Sequence, residues 1–72
     1  MKSLLSLRPG EIGVVLSLSG GINFRKKLLE IGITPGKEIT MVSNPGRGAL
    51  IIEVMGARLA IGRGIAAKIF VK

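Results

Sequence analysis

The stretch Leu28-Leu29-Glu30-Ile31-Gly32-Ile33-Thr34-Pro35-Gly36 constrains the chain most, because it writes a helix end, a stop, a turn and a strand start in consecutive residues. Leu28, Leu29 and Ile31 close a helical run that opens near Asn23, the expected N-cap, with Ser19 as its competitor. Phe24, Leu28 and Ile31 recur at i, i+4 and i+7 and form one expected apolar stripe. Gly32 stands where a helix halts by placing its next residue in the left-handed region, and Ile33 can fold back on the last turn. Pro35 then sets φ and Gly36 supplies a positive φ for a turn, and Lys37 begins an extended run.

Short alternating segments fill the rest of the chain. Ser3 is positioned to cap one turn over Leu4, Leu5 and Leu7, ended by Pro9-Gly10. Glu11 to Ser17 reads as the first strand, with Ile12, Val14, Leu16 and Leu18 expected inward and Val15 outward. Gly13 in that strand signals a bend or a close backbone approach. Lys37 to Ser43 turns Ile39 and Met41 inward, and Asn44 to Gly48 is a hairpin connection rich in turn formers. Ala49 to Met55 returns with Leu50, Ile52 and Val54 inward, and Ile51 and Glu53 outward. Gly56 makes a tight turn into Arg58 to Gly62, where Leu59 and Ile61 point in and Arg58 points out. Arg63 to Ala67 is one helical turn, and Lys68 to Lys72 is a last strand with Ile69 and Val71 inward and Phe70 outward.

Residues 1–72 are thus expected to form a single, mostly β domain: a small five-stranded SH3-like barrel, the last strand closing onto the first. One α-helix is inserted between strands one and two, and a short helical turn precedes the last strand. With no cysteine to staple 72 residues, burial must hold the fold, and an apolar fraction of 47% makes that feasible. The longest apolar stretches fall short of the roughly 18 residues a transmembrane helix needs, and none reads as a signal peptide, so a protein that does not span the membrane is expected.

The residues exclude most chemistry. Without Cys or His there is no thiolate or imidazole for a metal or for catalysis. The carboxylates are Glu11, Glu30, Glu38 and Glu53, each on a different element, and no motif pairs them for acid–base work. No glycine run carries the Gly-Lys-Ser/Thr ending of a phosphate loop. A proline-rich peptide groove lacks its aromatic lining, since Tyr and Trp are absent. A non-enzymatic binding module without a cofactor is the expectation.

Eleven Lys and Arg against four acidic residues give a net charge of +7, which favours an acidic partner. Nucleic acid is one such partner, through phosphate contacts from Arg25, Lys26, Lys27, Arg47, Arg58 and Arg63. Phe70 is the lone candidate for base stacking, which makes this the weaker reading. Protein binding is the stronger one. Its candidate residues are Arg25 and Lys26 on the helix, Arg47 at a glycine-flanked hairpin tip, Ile51, Arg58 and Phe70 on outward strand faces, and the strand edges. Gly32, Pro35 and Gly36 carry the structural turn and cap. An outward Phe70 beside strand edges also admits a weak homo-oligomer.

From Leu7-Arg8-Pro9-Gly10 through Leu28-Leu29-Glu30-Ile31-Gly32-Ile33-Thr34-Pro35-Gly36 to Ala67-Lys68-Ile69-Phe70-Val71, the chain resembles the ferrous iron transport protein A family, FeoA. Arg25 followed by Leu28 fits that family's helix pattern, and Gly56-Ala57-Arg58-Leu59-Ala60-Ile61 fits its strand, although an aromatic is common where Ala57 stands. Gly62 and Gly64 make the last helical turn looser than the family's. The resemblance implies an SH3-like adapter in the cytoplasm, at the inner face of the cytoplasmic membrane. Its implied partner is FeoB, the membrane GTPase that imports ferrous iron. It also implies, as a narrower alternative, a GTPase activator working through one of Arg25, Arg47 or Arg63. A tight iron site is not expected. Four Glu and backbone carbonyls under a charge of +7 support at most a weak or adventitious divalent contact.

Overall fold

The computed structural model describes residues 2–72. Strand β1 (Lys2–Ser3) runs into a 3-10 turn over Leu4–Ser6, followed by β2 (Ile12–Leu18) and α1 (Ile22–Glu30). Next come β3 (Glu38–Ser43), β4 (Leu50–Val54), β5 (Ala57–Ile61), α2 (Arg63–Ala66) and β6 (Ile69–Val71). The strands form one antiparallel sheet in the order β1-β6-β2-β3-β4-β5. The last strand does pair with the first long one, Val15 opposite Val71 and Leu18 opposite Ile69. The expected five strands become six, because residues 2–3 add β1 along β6. Among the described residues β1 and β5 are the unpaired ends of that order, so the barrel is curled but not closed by hydrogen bonds.

The helix end forms as its sequence dictates. Gly32 has φ +91°. Its N–H donates to the Leu29 carbonyl at 3.1 Å, and the Ile33 N–H donates to the Leu28 carbonyl at 2.9 Å. Those two bonds are the paired contacts of a Schellman cap, and Leu28 and Ile33 are both buried where that cap puts its apolar contact. Pro35-Gly36 follows as a type II turn, with Gly36 at φ +92° and the Lys37 N–H bonded to the Thr34 carbonyl at 3.1 Å. The Gly36 N–H then donates to the Val15 carbonyl, and the Val15 N–H to the Lys37 carbonyl. The turn is thereby stitched to β2, which fixes α1 beside that strand.

The start of α1 departs from expectation. Gly21, not Asn23 or Ser19, is the N-cap, with extended φ and ψ and no side-chain cap bond. Arg25 is therefore the fourth helical residue, and Lys27 belongs to the last turn. Arg25 thus ends the first turn, where a cation opposes the helix dipole, while Lys27 at the other end favours it. Ile31 is the C-cap and is 45% exposed, so the buried stripe reduces to Leu28 with half-buried Phe24. The Lys68 ammonium lies over the Phe24 ring, 5.1 Å from its centroid.

The core is continuous and apolar. Leu4, Leu7, Ile33, Ile39, Met41, Leu50, Ile52, Ile69 and Val71 are wholly or almost wholly buried, and no polar side chain among the described residues is buried. The expected inward faces of β3, β4 and β6 are found as read. The N-terminal turn is held without the expected Ser3 side-chain cap. The Asn44 amide instead donates to the carbonyls of Leu5 and Leu7, both at 2.9 Å, and accepts from the Arg63 guanidinium at 3.2 Å.

Candidate functional site

Up to Leu16, β2 faces the opposite way from its alternation of large apolar residues. Val15 and Gly13 are buried, while Ile12 is 58% and Leu16 39% exposed. Two facts force this phase. A Cβ on Gly13 would meet the Val71 Cβ at 3.0 Å and Leu7 Cδ1 at 3.1 Å, so the glycine lets β6 and the N-terminal turn close over it. Further along, the β2–β6 register slips between Val15 and Ser17, leaving Leu16 as an extra, bulged residue. Leu16 and Ser17 are both exposed beyond it, before half-buried Leu18 rejoins the core.

That bulge lies beside α1, and together they make a cleft of about 560 Å³. Leu16, Ser17 and Leu18 line it from β2, Ile22, Arg25, Lys26 and Leu29 from α1, and Pro35 from the turn before β3. Ile22 is 66% and Leu29 49% exposed, so the helix turns a second apolar strip away from the core and towards the cleft. Arg25 and Lys26 flank that strip, and no carboxylate lines the cleft. Its chemistry is apolar recognition beside positive charge. Among the described residues no three acidic, His or Cys side chains come together to hold a metal ion.

The structure thus brings Arg25 and Lys26 together with Ile22, Leu29 and two residues, Leu16 and Leu18, whose alternation predicts an inward face. Ile51 and Arg58 share another surface, the outward face of β4 and β5, where Ile51 is opposite Ala60 and Arg58 opposite Glu53. The Arg58 Nε lies 3.4 Å from Glu53 Oε1, an exposed ion pair. Arg47 is exposed in the connection between β3 and β4. Phe70 is half-buried on β6, directly across from Ser17, next to the cleft without lining it. Val15, expected outward, is in the core. Arg63 is half-buried and donates to Asn44, so two of the six cations offered for phosphate contacts, Arg58 and Arg63, already have partners within the chain. The close approach that Gly13 signals is found, and the same glycine marks the strand face that packs closest, against the alternation of large apolar residues.

The model of the FeoA domain matches residues 2–72. A curated relative from Methanocaldococcus jannaschii, named as Fe(2+) transport protein A, is 33% identical over 72 residues, covering 100% of this chain and 87% of its own. Among solved structures, an iron uptake regulatory protein (FeoA) is 40% identical and superposes with a TM-score of 0.91, over 97% of this chain and 93% of the other. FeoA of Stenotrophomonas maltophilia, complexed with zinc and described as a procaryotic SH3 domain protein, is 26% identical with a TM-score of 0.86, over 100% and 91% of the two chains. The SH3-like architecture and the family follow together: this chain belongs to the FeoA domain family.

Proposed function

We propose that the chain is a non-enzymatic accessory of ferrous iron uptake that binds and modulates the cytosolic side of a FeoB-type membrane GTPase transporter. The relatives support the pathway through their names in Fe(2+) transport. The Stenotrophomonas protein's description raises a role as a ferrous iron transport activating factor. The observation that carries the adapter role is the cleft between β2 and α1, which exposes Leu16, Ile22 and Leu29 on a surface that holds no catalytic cluster. Exposed apolar surface of this kind gains by being covered. No helix among the described residues is long and apolar enough to cross a membrane, so a membrane partner would be met from the water side.

Titration of the protein with the purified cytosolic part of its transporter tests this reading. The wild type binds, and Leu16→Asp, at a solvent-facing bulge that tolerates a carboxylate, weakens binding about tenfold or more, the scale of one lost apolar side-chain burial. Equal affinity of the two proteins, or no binding by either to the intact transporter, counts against it. Activation of GTP turnover is the narrower form; it requires faster hydrolysis on binding and loss of that effect in one of Arg25→Ala, Arg47→Ala or Arg63→Ala.

A further inference from the structure

We infer that the cleft between β2 and α1 takes an acidic amphipathic helix, one that inserts an apolar side chain against Leu16 and Leu29 and meets Arg25 and Lys26 with carboxylates. Each part of that description comes from the cleft itself. Its apolar strip, Leu16, Ile22 and Leu29, calls for an apolar anchor. Among the described residues its only charges are Arg25 and Lys26, both exposed and neither opposed by a carboxylate in the cleft, so the charges of the occupant are negative.

The secondary structure of the occupant follows from the strand that lines the cleft. β2 lies inside the sheet, with β6 on one side and β3 on the other. On its β3 side the ladder of β2 ends at Val14, with Val15 bonded to residues 36–37, so an extended peptide laid here would meet at most the three residues 16–18 with the bulge among them, whereas the open edges of the sheet, β1 and β5, lie elsewhere in its order. A segment that buries itself in this cleft must satisfy its own backbone, and a helix does so. A second copy is a poor occupant. The chain carries +7, Glu11 already accepts the Arg8 N–H, and Glu53 already pairs with Arg58, which leaves Glu30 and Glu38 as its remaining carboxylates. A flat bilayer surface fits a concave cleft less well than an inserted side chain does.

The inference rests on the accessory reading only for which protein supplies the helix, and one experiment separates the two. The photo-cross-linker p-benzoylphenylalanine replaces Leu16, and in a second variant Ile22, in the full chain in cells growing on ferrous iron, and the attached peptide is sequenced. The expected peptide carries a large apolar residue with at least two Asp or Glu within about one helical turn of it. Arg25→Glu combined with Lys26→Glu lowers the cross-link yield about tenfold, and exchanging the mapped acidic residues for Lys restores it. A neutral or basic peptide, lipid, a second copy of this chain, or no cross-link from two folded and abundant variants overturns the inference. An acidic helix from a protein other than the transporter upholds it and removes the proposed function; a transporter segment without acidic residues does the reverse.

Discussion

At the residue scale, the fold depends on single positions where one conformation or one missing atom decides the outcome. Gly32 is the sharpest of them. At φ +91°, an L side chain is strained whatever space surrounds it, and the space here is adequate, since a Cβ would meet Met55 Sδ at an ordinary 3.4 Å. Gly32→Ala therefore costs about 1–2 kcal/mol through backbone strain rather than through a clash. Urea unfolding should show a lower midpoint at unchanged slope; an unaltered midpoint would mean that the helix end can rearrange freely. Gly32, Pro35 and Gly36 were legible in the sequence because each acts through its own backbone or its immediate neighbours. Gly13 is different. Its φ is ordinary; the strand around it signals a close approach, but which groups approach, Val71 from the far end of the chain and Leu7 from the N-terminal turn, appears only in the fold.

At the element scale, that difference between local and distant causes separates what the sequence reveals from what it hides. In the second half Ile39, Met41, Leu50, Ile52 and Val54 are buried as their spacing requires, because the slip in the β3–β4 register falls beyond Met41, past the last core residue of β3. β2 breaks the rule because its bulge is set by pairing with β6, and a shift of one residue reverses every face. The cleft was hidden for the same reason: Leu16 alternates like a core residue until the bulge exposes it, and Ile22 and Leu29, off the expected stripe of Phe24, Leu28 and Ile31, carry no sign in the sequence that they face that bulge. Asn44 shows a third case, a turn former whose amide clamps one element to another. Its two donated bonds hold the carbonyls of Leu5 and Leu7 in the segment that buries Leu4 and Leu7. Asn44→Ala removes both partners at once and should cost about 1–3 kcal/mol. Amide exchange localises the loss. The Leu7 N–H, which bonds to the Leu4 carbonyl, should exchange faster than the β3–β4 ladder does, relative to the wild type. Uniform acceleration of both would show that the N-terminal turn and the sheet unfold as one unit.

At the scale of the whole molecule, the charge of +7 and the cleft make separable contributions to binding an acidic partner. The summed charge acts at a distance and raises the encounter rate, and every cation contributes wherever it sits. The cleft acts only in contact, through Arg25 and Lys26 beside the apolar strip. Arg47→Gln and Arg25→Gln each remove one positive charge, one on the exposed hairpin connection and the other at the cleft. Steering alone predicts that both slow association by a similar, less than tenfold factor at low salt, and that the effect fades as salt shortens the screening length to about 3 Å at 1 M. Contact at the cleft adds a second consequence for Arg25 alone, dissociation several-fold faster at every salt concentration, because a short-range pair at a covered surface is screened much less. Association and dissociation rates of the two variants on the immobilised cytosolic part of the transporter, measured across salt, distinguish these contributions. If Arg47→Gln were the variant with faster dissociation, the partner would be seated on the hairpin between β3 and β4 rather than in the cleft, and the distribution of charge over this small barrel would have to be read around that loop.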